Sequence, residues 1–299
     1  MSRGLGDVYK RQDVTIRLFT DDGTVVPCEE KYTTGMQLQK ELDVESDALD
    51  DNYTPYQIEF PLDAGCRKKI SIVCTIEDAY EKDAFATAAA EMARFDALEK
   101  KAGYHDELAE TLTIAADHFL AYRQSTGLMT VLAGLPWFTD WGRDTMIALT
   151  GLTLATGRYQ DARDILTTFA RYVHHGMVPN MFPDEGTAPL YNTADASMWY
   201  FYAVGKYLDY TGTPEDYAFV QETIYPKLKE IIAAYEHGTD FSIYMEEDGL
   251  IHAGSGLDQV TWMDVRVGDW VATPRHGKPV EINALWYNAL CVTAELAEH

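Results

Sequence analysis

The sequence predicts a mainly α-helical protein that is preceded by a small β region. Up to about Asp78, apolar residues alternate with the period of two that is typical of strands. After Gly103, apolar residues recur at helical spacing in segments that come in pairs. Turns within pairs are short, whereas loops between pairs are long and rich in Trp, Gly, Pro and Asp. This asymmetry fits an open helical solenoid or a closed α/α toroid, with function on the rim that carries the long loops.

The chain before the paired helices contains three predicted regions. Residues 1–12 are predicted to be non-native, because SRGLGDVYKRQ is a translation of a transposase-type sequencing adapter. Residues 13–78 are predicted to be the end of an N-terminal β-domain, as the last strands of a β-sandwich. Residues 79–103, with an Ala-rich centre, are predicted to form a linker helix. Since the chain also stops within a helical pattern at His299, we expect a fragment cut at both ends.

Residues 104–299 are predicted to form one helical domain. The connections TGRY and TGTPED are short enough to join antiparallel neighbours. Proline or a capping residue precedes several of the periodic segments, as expected at helix starts. The predicted helices are His105–Arg123, Arg143–Thr156, Tyr159–His174, Thr193–Thr211, Pro214–His237 and Pro279–Glu298.

The composition argues against several classes of partner. A formal net charge of −24 disfavours nucleic acid and anionic membranes, although an acidic surface can also serve only to keep a protein in solution. No stretch approaches the roughly 20 apolar residues that cross a bilayer. The 4 cysteines lack CxxC spacing and are predicted to be reduced thiols. The 19 Tyr and 6 Trp supply flat faces on which sugar rings stack, although most are expected in the core.

The stretch LPWFTDWGRDTMIALTG crowds indoles, carboxylates and a guanidinium at the start of one predicted helix. Asp144 as a helix N-terminal acid that pairs with Arg143 accounts for only part of this crowding. Aromatic rings around an Arg and an Asp favour a sugar-binding site, where rings stack and charged groups bind hydroxyls. The predicted substrate-binding residues here are Trp137, Asp140, Trp141, Arg143 and Asp144.

A second long loop ends in a helix with a carboxylate in its first turn. Asp195 lies there, and Trp199 follows one turn later on the same side of the predicted helix. Both are predicted to contact substrate. Taken alone, Asp195 is better explained as a carboxylate that interacts with the helix dipole.

A third long loop, residues 252–286, contains the predicted catalytic acid. Trp262 and Met263 precede Asp264, and apolar neighbours of this kind raise the pKa of a carboxyl toward the value that a general acid needs. Asp258 and Trp262 are predicted to contact substrate. Glu281 is a further binding candidate, although an acid so soon after a proline is also a common feature of helix starts.

Other chemistries find little support in the sequence. Two adjacent histidines, His174 and His175, cannot face one metal ion from the same side of a helix, so no metal site is predicted. A GSG triplet lacks the rest of a dinucleotide-binding loop, and the sequence contains neither a P-loop nor a GxSxG motif. The candidate functional residues that remain are carboxylates, indoles and one arginine, and this combination is typical of a glycosidase.

Four motifs, in one order, resemble the amylo-α-1,6-glucosidase module of prokaryotic glycogen debranching enzymes. They are WFTDWGRDTMIALTGLTLATGRYQDARDIL, YNTADASMWYF, TWMDVRVGDW and TPRHGKPVEINALWYNAL, and the resemblance runs from about Thr111 to His299. It implies an (α/α)6 toroid, of which this chain holds about half of the helices. It also implies a cytoplasmic enzyme without metal or other cofactor. This enzyme hydrolyses α-1,6-linked glucose of glycogen or limit dextrin with inversion.

The resemblance also implies roles for individual residues. In the WGRD motif, Trp141, Arg143 and Asp144 would hold the terminal glucose, and Asp195 would line the same pocket. Asp264 takes the general-acid position, although a trehalase-like alignment gives that position to Asp258. The general base is expected beyond residue 299.

Two alternatives stay open at this point. The first is another toroid glycosidase, of the glucoamylase or trehalase type. The second is a glucan-binding α/α module without catalysis. Because the expected base and about half of the toroid are missing, we expect residues 1–299 to form an open half-ring without activity of their own.

Overall fold

The structure of the protein, a computed structural model, describes residues 15–43, 48–135, 138–183 and 188–299. The chain forms two units, the first up to Phe95 and the second from Asp96 onward. The first unit contains the strands predicted from the period of two, and the second contains most of the helices. Among the described residues, no helix is long and apolar enough to cross a membrane.

The first unit contains two antiparallel strand pairs. Strand β1 (Arg17–Thr20) pairs with β4 (Ile72–Thr75), and β2 (Thr24–Gln37) pairs with β3 (Leu49–Glu59). A short helix, α1 (Gln39–Asp43), follows β2. Within the described residues each pair is a separate sheet of two strands. The predicted strands are therefore confirmed, whereas the sandwich stays a prediction.

Strand β2 is longer than its sequence suggests. A Thr-Gly pair after Tyr32 has the composition of a turn, yet the strand continues through it. The pairing shifts register between Thr33 and Met36, which marks a bulge, and Gly35 within it has a φ of 66°. A bulge lets a strand absorb one residue with positive φ and continue pairing.

The predicted linker helix is present as α2 (Ala84–Ala102) and begins later than predicted. Asp83 sets its start, because the Oδ1 atom of Asp83 accepts a hydrogen bond of 2.9 Å from the backbone N–H of Phe85. The division between the two units falls within this helix.

The helical pattern after residue 103 is largely confirmed. Two of the helices extend into π-helical turns, Thr150–Leu154 after the helix Gly142–Leu149 and Val220–Ile224 after the helix Pro214–Phe219. The helices of the second unit after α2 are α3 (Glu107–Asp117), α4 (Gly142–Leu149), α5 (Tyr159–Arg171), α6 (Asp195–Tyr210), α7 (Pro214–Phe219), α8 (Tyr225–His237) and α9 (Val280–Glu298).

Two helix predictions are wrong in part. The helix predicted to run to Arg123 ends at Asp117, and the chain then forms a hairpin of β5 (Leu120–Arg123) and β6 (Leu128–Val131). Gly127, with a φ of 69°, makes the tight turn of this hairpin possible.

The helix predicted between Pro214 and His237 is divided by its π-helical turn. Pro226 follows this turn at the start of α8. Proline has no backbone N–H, so it cannot continue the regular hydrogen-bond pattern of the preceding turn.

Helix α6 is the centre of the second unit. It packs against α4, α5 and α9. Buried residues occur on most of its circumference, including Met198, Phe201 and Val204, each 0% exposed. A helix held in this way gives the residue at its N-terminus, Asp195, a fixed position.

Two short hairpins lie between α8 and α9, the first just before the third long loop and the second within it. Strands β7 (Tyr244–Met245) and β8 (Ile251–His252) form the first, and β9 (Arg266–Val267) and β10 (Trp270–Val271) form the second. Asp264 lies directly before the second hairpin.

Candidate active site

Two carboxylates from different parts of the chain meet at one arginine, Arg143. The Nε atom of Arg143 donates a hydrogen bond of 2.6 Å to Oδ2 of Asp195. Nη1 of the same guanidinium lies 3.6 Å from Oδ2 of Asp264. The cluster therefore joins the first turn of α4, the first residue of α6 and the third long loop, and we call it the Arg143 cluster.

The start of α4 is pressed against its neighbours because residue 142 is a glycine. A Cβ atom at Gly142 would lie 2.1 Å from the carbonyl oxygen of Pro179 and 3.2 Å from Cβ of Ala196. The N–H of Gly142 also donates to the carbonyl of Asn180 at 2.8 Å. Only glycine permits this approach, and it carries Arg143 to within reach of Asp195.

Local hydrogen bonds hold the other two loops in place. Thr193 Oγ1 donates to the second oxygen of Asp195, Oδ1, at 2.5 Å. The N–H of Ala194 donates to the carbonyl of Val260 at 2.8 Å and ties the third loop to the start of α6. The hydroxyl of the buried Tyr235 donates to the carbonyl of Ala194 at 2.9 Å.

The cluster contains one cation among several carboxylates. Burial disfavours the charge of Arg143, but the hydrogen bond and attraction of Asp195, together with Asp264 and Asp144, outweigh burial and raise the pKa of Arg143. Burial also raises the pKa of Asp144, although Arg143 acts in the opposite direction. A fixed guanidinium with surplus carboxylate oxygens suits the binding of sugar hydroxyls, which donate and accept hydrogen bonds.

Arg143 does not rely on Asp144, its neighbour in sequence. Its hydrogen bond goes to Asp195, which is 52 residues away. Residue Trp141 occupies the capping position of α4 without a side-chain hydrogen bond to the helix. The purely local explanation of the motif, a helix-start acid paired with the adjacent arginine, is therefore wrong for Arg143.

The surroundings of Asp264 differ from the apolar enclosure that its sequence neighbours suggested. Its side chain is 34% exposed, and its nearest charged partner is Arg143. Trp262 is 55% exposed, so it does not cover the carboxyl in the way that the sequence led us to expect. The described part of the chain therefore shields the Asp264 side chain from solvent only in part.

Glu281 is bound by an arginine that the sequence analysis missed. Both Nη atoms of Arg275 donate to its carboxylate, Nη2 to Oε2 at 2.7 Å and Nη1 to Oε1. These bonds lower the pKa of Glu281, with a smaller contribution from a hydrogen bond of Trp262. Glu281 therefore connects the indole of Trp262 to Arg275. The sequence signal for Arg275 was only its place in the loop before α9.

Two matches to known proteins identify the family of this chain. Residues 114–299 match the family described as amylo-alpha-1,6-glucosidase. The chain belongs to this family. It is also 30% identical, over 250 residues, to the glycogen debranching enzyme of Saccharomyces cerevisiae. That alignment covers 62% of this chain and 16% of the yeast protein, so the chain spans less than a fifth of that relative.

Asp140 has a structural position in this amylo-α-1,6-glucosidase domain. It is 0% exposed, and its carboxylate accepts hydrogen bonds from Arg123, at 2.7 Å from Nε, and from Thr130, at 2.8 Å. In this arrangement no oxygen of Asp140 is free to meet a sugar. The sequence analysis missed Arg123, because it placed this residue in a helix rather than in strand β5.

The remaining predicted binding residues have mixed surroundings. Trp141 is partly buried and forms an antiparallel bridge with Met181. Trp199 packs against the core and meets Tyr202 edge to face at 5.4 Å between ring centroids. One carboxylate oxygen of Asp258 accepts bonds from the backbone N–H and the hydroxyl of Ser255, at 3.0 and 3.2 Å.

Two of these predicted residues therefore have structural contacts. Trp199 packs against the core, and one oxygen of Asp258 is held in a turn with Ser255. Trp137 lies outside the described residues. In the described part of the chain, no group of three or more His, Cys, Asp or Glu residues could hold a metal ion.

We predict that Asp140 stabilises the domain. Arg123→Ala or Asp140→Ala should lower the free energy of unfolding by about 3–5 kcal/mol, because each leaves a buried charge without its partner. The double variant Arg123→Met, Asp140→Leu should recover most of this loss, because it removes both charges. Urea unfolding of the three variants measures this. A loss of sugar affinity in Asp140→Ala at unchanged stability would instead support the binding role predicted from the sequence.

We also predict that Glu281 contributes stability that depends on pH. Because Arg275 lowers the folded pKa of Glu281, the stabilisation is complete above the unfolded pKa and is lost as the pH falls through the folded pKa. Glu281→Gln should cost about 1–2 kcal/mol of unfolding free energy at pH 7. This cost should shrink below about pH 4.3, the usual value for a Glu carboxyl.

Urea unfolding at several pH values tests the prediction for Glu281. The exposed Glu247 has no hydrogen bond or ion pair in the described part of the chain, so Glu247→Gln is a matched control that removes a carboxylate without breaking a pair. Equal curves for the two variants would show that the Arg275 pair contributes nothing.

Proposed function

We propose that this chain holds the glucose-binding and proton-donating part of an enzyme that hydrolyses α-1,6-linked glucose at glycogen branch points. Its family membership supports a glycoside hydrolase that acts on an α-glucan, such as glycogen or limit dextrin. Because glycogen is stored inside the cell, we infer that the enzyme works in the cytoplasm.

The observation that carries the proposal is the Arg143 cluster. Arg143 lies within 2.6 Å of Asp195 and 3.6 Å of Asp264, although the three residues come from loops far apart in the sequence. Asp195 is nearly buried and fixes the guanidinium, whereas Asp264 retains an exposed edge. A site that binds a sugar and reacts with it needs a fixed binding group, as Asp195 and Arg143 provide, and a reactive group that the substrate can reach, as Asp264 provides.

In the proposed mechanism, Asp264 is the general acid. It protonates the glycosidic oxygen while water attacks the anomeric carbon from the opposite face of the sugar ring. Arg143 and Asp144 bind the outer hydroxyls of the terminal glucose, and Trp141 lies at the same helix start. A bound glucose removes water from Asp264, which supplies the desolvation that the free site lacks.

Inversion also needs a general base, roughly 6.5–9.5 Å from the acid. Asp195 and Glu281 are poor candidates, because both oxygens of each already accept hydrogen bonds. As the resemblance implies, we propose that the base is a residue beyond residue 299. Residues 1–299 would then bind a glucose analogue without releasing glucose.

We propose an (α/α)6 toroid as the complete fold, and the directions of the helices support it. Helices α4 and α6 both begin at the Arg143 cluster, and α9 begins beside Glu281. Helix α6 packs against both α4 and α9. Two neighbouring helices that start at one site, with a third packed against one of them, are what the inner ring of such a toroid would provide. The strand pairs of the first unit would be the end of a β-sandwich.

The test is a substrate panel with the complete gene product. It should release glucose from limit dextrin and leave maltose and trehalose intact. NMR of the reaction should show β-glucose as the first anomer, because inversion of an α-linkage gives the β product. Hydrolysis of maltose or trehalose would instead support a glucoamylase-like or trehalase-like enzyme. Glucan binding without any release of glucose would support a non-catalytic module.

A further inference from the structure

The hairpin of β5 and β6 forms one side of an open cavity. The cavity has a volume of about 640 Å³, within the range of about 300–1,000 Å³ that is usual for small-molecule sites. It is separate from the Arg143 cluster, and none of the predicted substrate-binding residues lines it. Its lining residues are Ala121, Tyr122, Arg123, Gln124, Ser125, Thr130 and Leu132.

The chemistry of the lining suits an uncharged, polyhydroxylated ligand. Arg123 is the charged residue of the lining, and the buried Asp140 neutralises it. Gln124 and Ser125 are exposed, and their side chains make no hydrogen bond within the described part of the chain. Tyr122 is 64% exposed and offers an aromatic surface. An anionic ligand would find no free cation here, whereas a sugar would find hydrogen-bonding groups and an aromatic ring.

The position of the cavity relates it to the Arg143 cluster. Arg123 and Thr130 line the cavity and also bind Asp140. Asp140 precedes Arg143 by three residues, which span at most about 11 Å when fully extended. The separation of the cavity and the cluster is therefore within the length of an oligosaccharide.

Exposed apolar side chains continue from the cavity. Leu132 lines it, and the next residues turn back on themselves, because the N–H of Ala133 donates to the carbonyl of Thr139 at 2.9 Å. Phe138 in this turn is 56% exposed, and its ring lies against the position of Gly134. The turn after the hairpin therefore exposes a second aromatic ring, six residues beyond Leu132 in the sequence.

We propose that this cavity binds an α-1,4-linked glucan chain. It would hold the part of the substrate that continues beyond the glucose bound at the Arg143 cluster. The inference rests on the proposed function, because it assigns the cavity to the same substrate. Tyr122 supplies the stacking surface, and Gln124 and Ser125 bind hydroxyls.

The experiment measures binding of two probes to the full chain by calorimetry. Maltoheptaose, a linear α-1,4-linked glucan, reports on the cavity. Deoxynojirimycin, a glucose-sized cation that imitates the charge of a glycosidase transition state, reports on the Arg143 cluster. Tyr122→Ala should weaken the binding of maltoheptaose about tenfold, because it removes an aromatic contact, and should leave the affinity for deoxynojirimycin unchanged. Gln124→Ala combined with Ser125→Ala should weaken maltoheptaose about threefold.

Tyr159→Ala is the matched control. Tyr159 is 42% exposed and begins α5, beyond the far end of α4 and its π-helical turn. The 13 residues from Gly142 to Leu154 place it roughly 20 Å from the cluster along the helix axis. This variant should bind both probes like the unmodified chain. Since both tyrosines are exposed, neither substitution should shift the melting temperature by more than about 2 °C.

The outcomes separate this inference from the proposed function. If deoxynojirimycin binds and Tyr122→Ala changes maltoheptaose affinity less than twofold, the cavity is not a glucan site and the proposed function stands. The same holds if deoxynojirimycin binds and maltoheptaose does not. If neither probe binds the unmodified chain, the proposed function fails and the inference fails with it.

Discussion

Asp264→Asn in the complete gene product should reduce kcat on limit dextrin by about 10²–10⁴-fold, with little change in substrate affinity. An amide cannot donate the proton that the leaving oxygen requires, and proton donation acts mainly in the transition state. The amide has nearly the same shape and can still lie beside Arg143, 3.6 Å away in the structure. Substrate binding should therefore change little.

A substrate with a better leaving group gives a second measurement on the same variant. A leaving group that needs no protonation, as in α-glucosyl fluoride, should be cleaved by the variant at close to the normal rate.

Asp258→Asn is the matched control, because Asp258 was the other candidate for the acid. Its oxygen is held by Ser255 in a turn. We expect a small loss of stability and nearly normal turnover. If Asp258→Asn shows the large loss and Asp264→Asn does not, the assignment of the acid is wrong.

Arg143→Ala should cause the second large effect, and it should appear in both stability and binding. The side chain of Asp195 is 2% exposed and loses its cation in this variant. Removing one member of a buried pair typically costs about 3–5 kcal/mol of unfolding free energy. Affinity for deoxynojirimycin should also fall, because Arg143 orders Asp195 and faces Asp264 at the proposed glucose site.

Arg158→Ala separates the two effects of Arg143. Arg158 is comparably buried, with a side chain 12% exposed, and pairs with Asp117 and Asp161 at the start of α5. The Arg158→Ala variant should lose a similar amount of unfolding free energy, yet its folded molecules should bind deoxynojirimycin normally. If Arg143→Ala behaves like Arg158→Ala, with reduced stability and normal binding, Arg143 has only a structural role.

Much of the local structure follows from the sequence. The helical spacing of apolar residues predicted the starts of α5, α6 and α9 to within a few residues, because helix periodicity and start signals are local properties. The motifs of the long loops also sufficed to indicate the family that the comparison shows. The errors occurred where a local pattern has two solutions, as at β5, where a turn at Gly127 made a hairpin out of a predicted helix end.

The sequence by itself determined which residue types stand at the start of α4, but only the tertiary structure decided their partners. From sequence alone Arg143 could pair with its neighbour Asp144, whereas the close approach at Gly142 brings Asp195 to it. Sequence neighbours also suggested an enclosed Asp264, and the structure leaves it partly exposed. The physical reason is the same in both cases. An ion pair or a desolvated carboxyl depends on what surrounds a side chain in space, and most of those surroundings come from residues distant in the sequence.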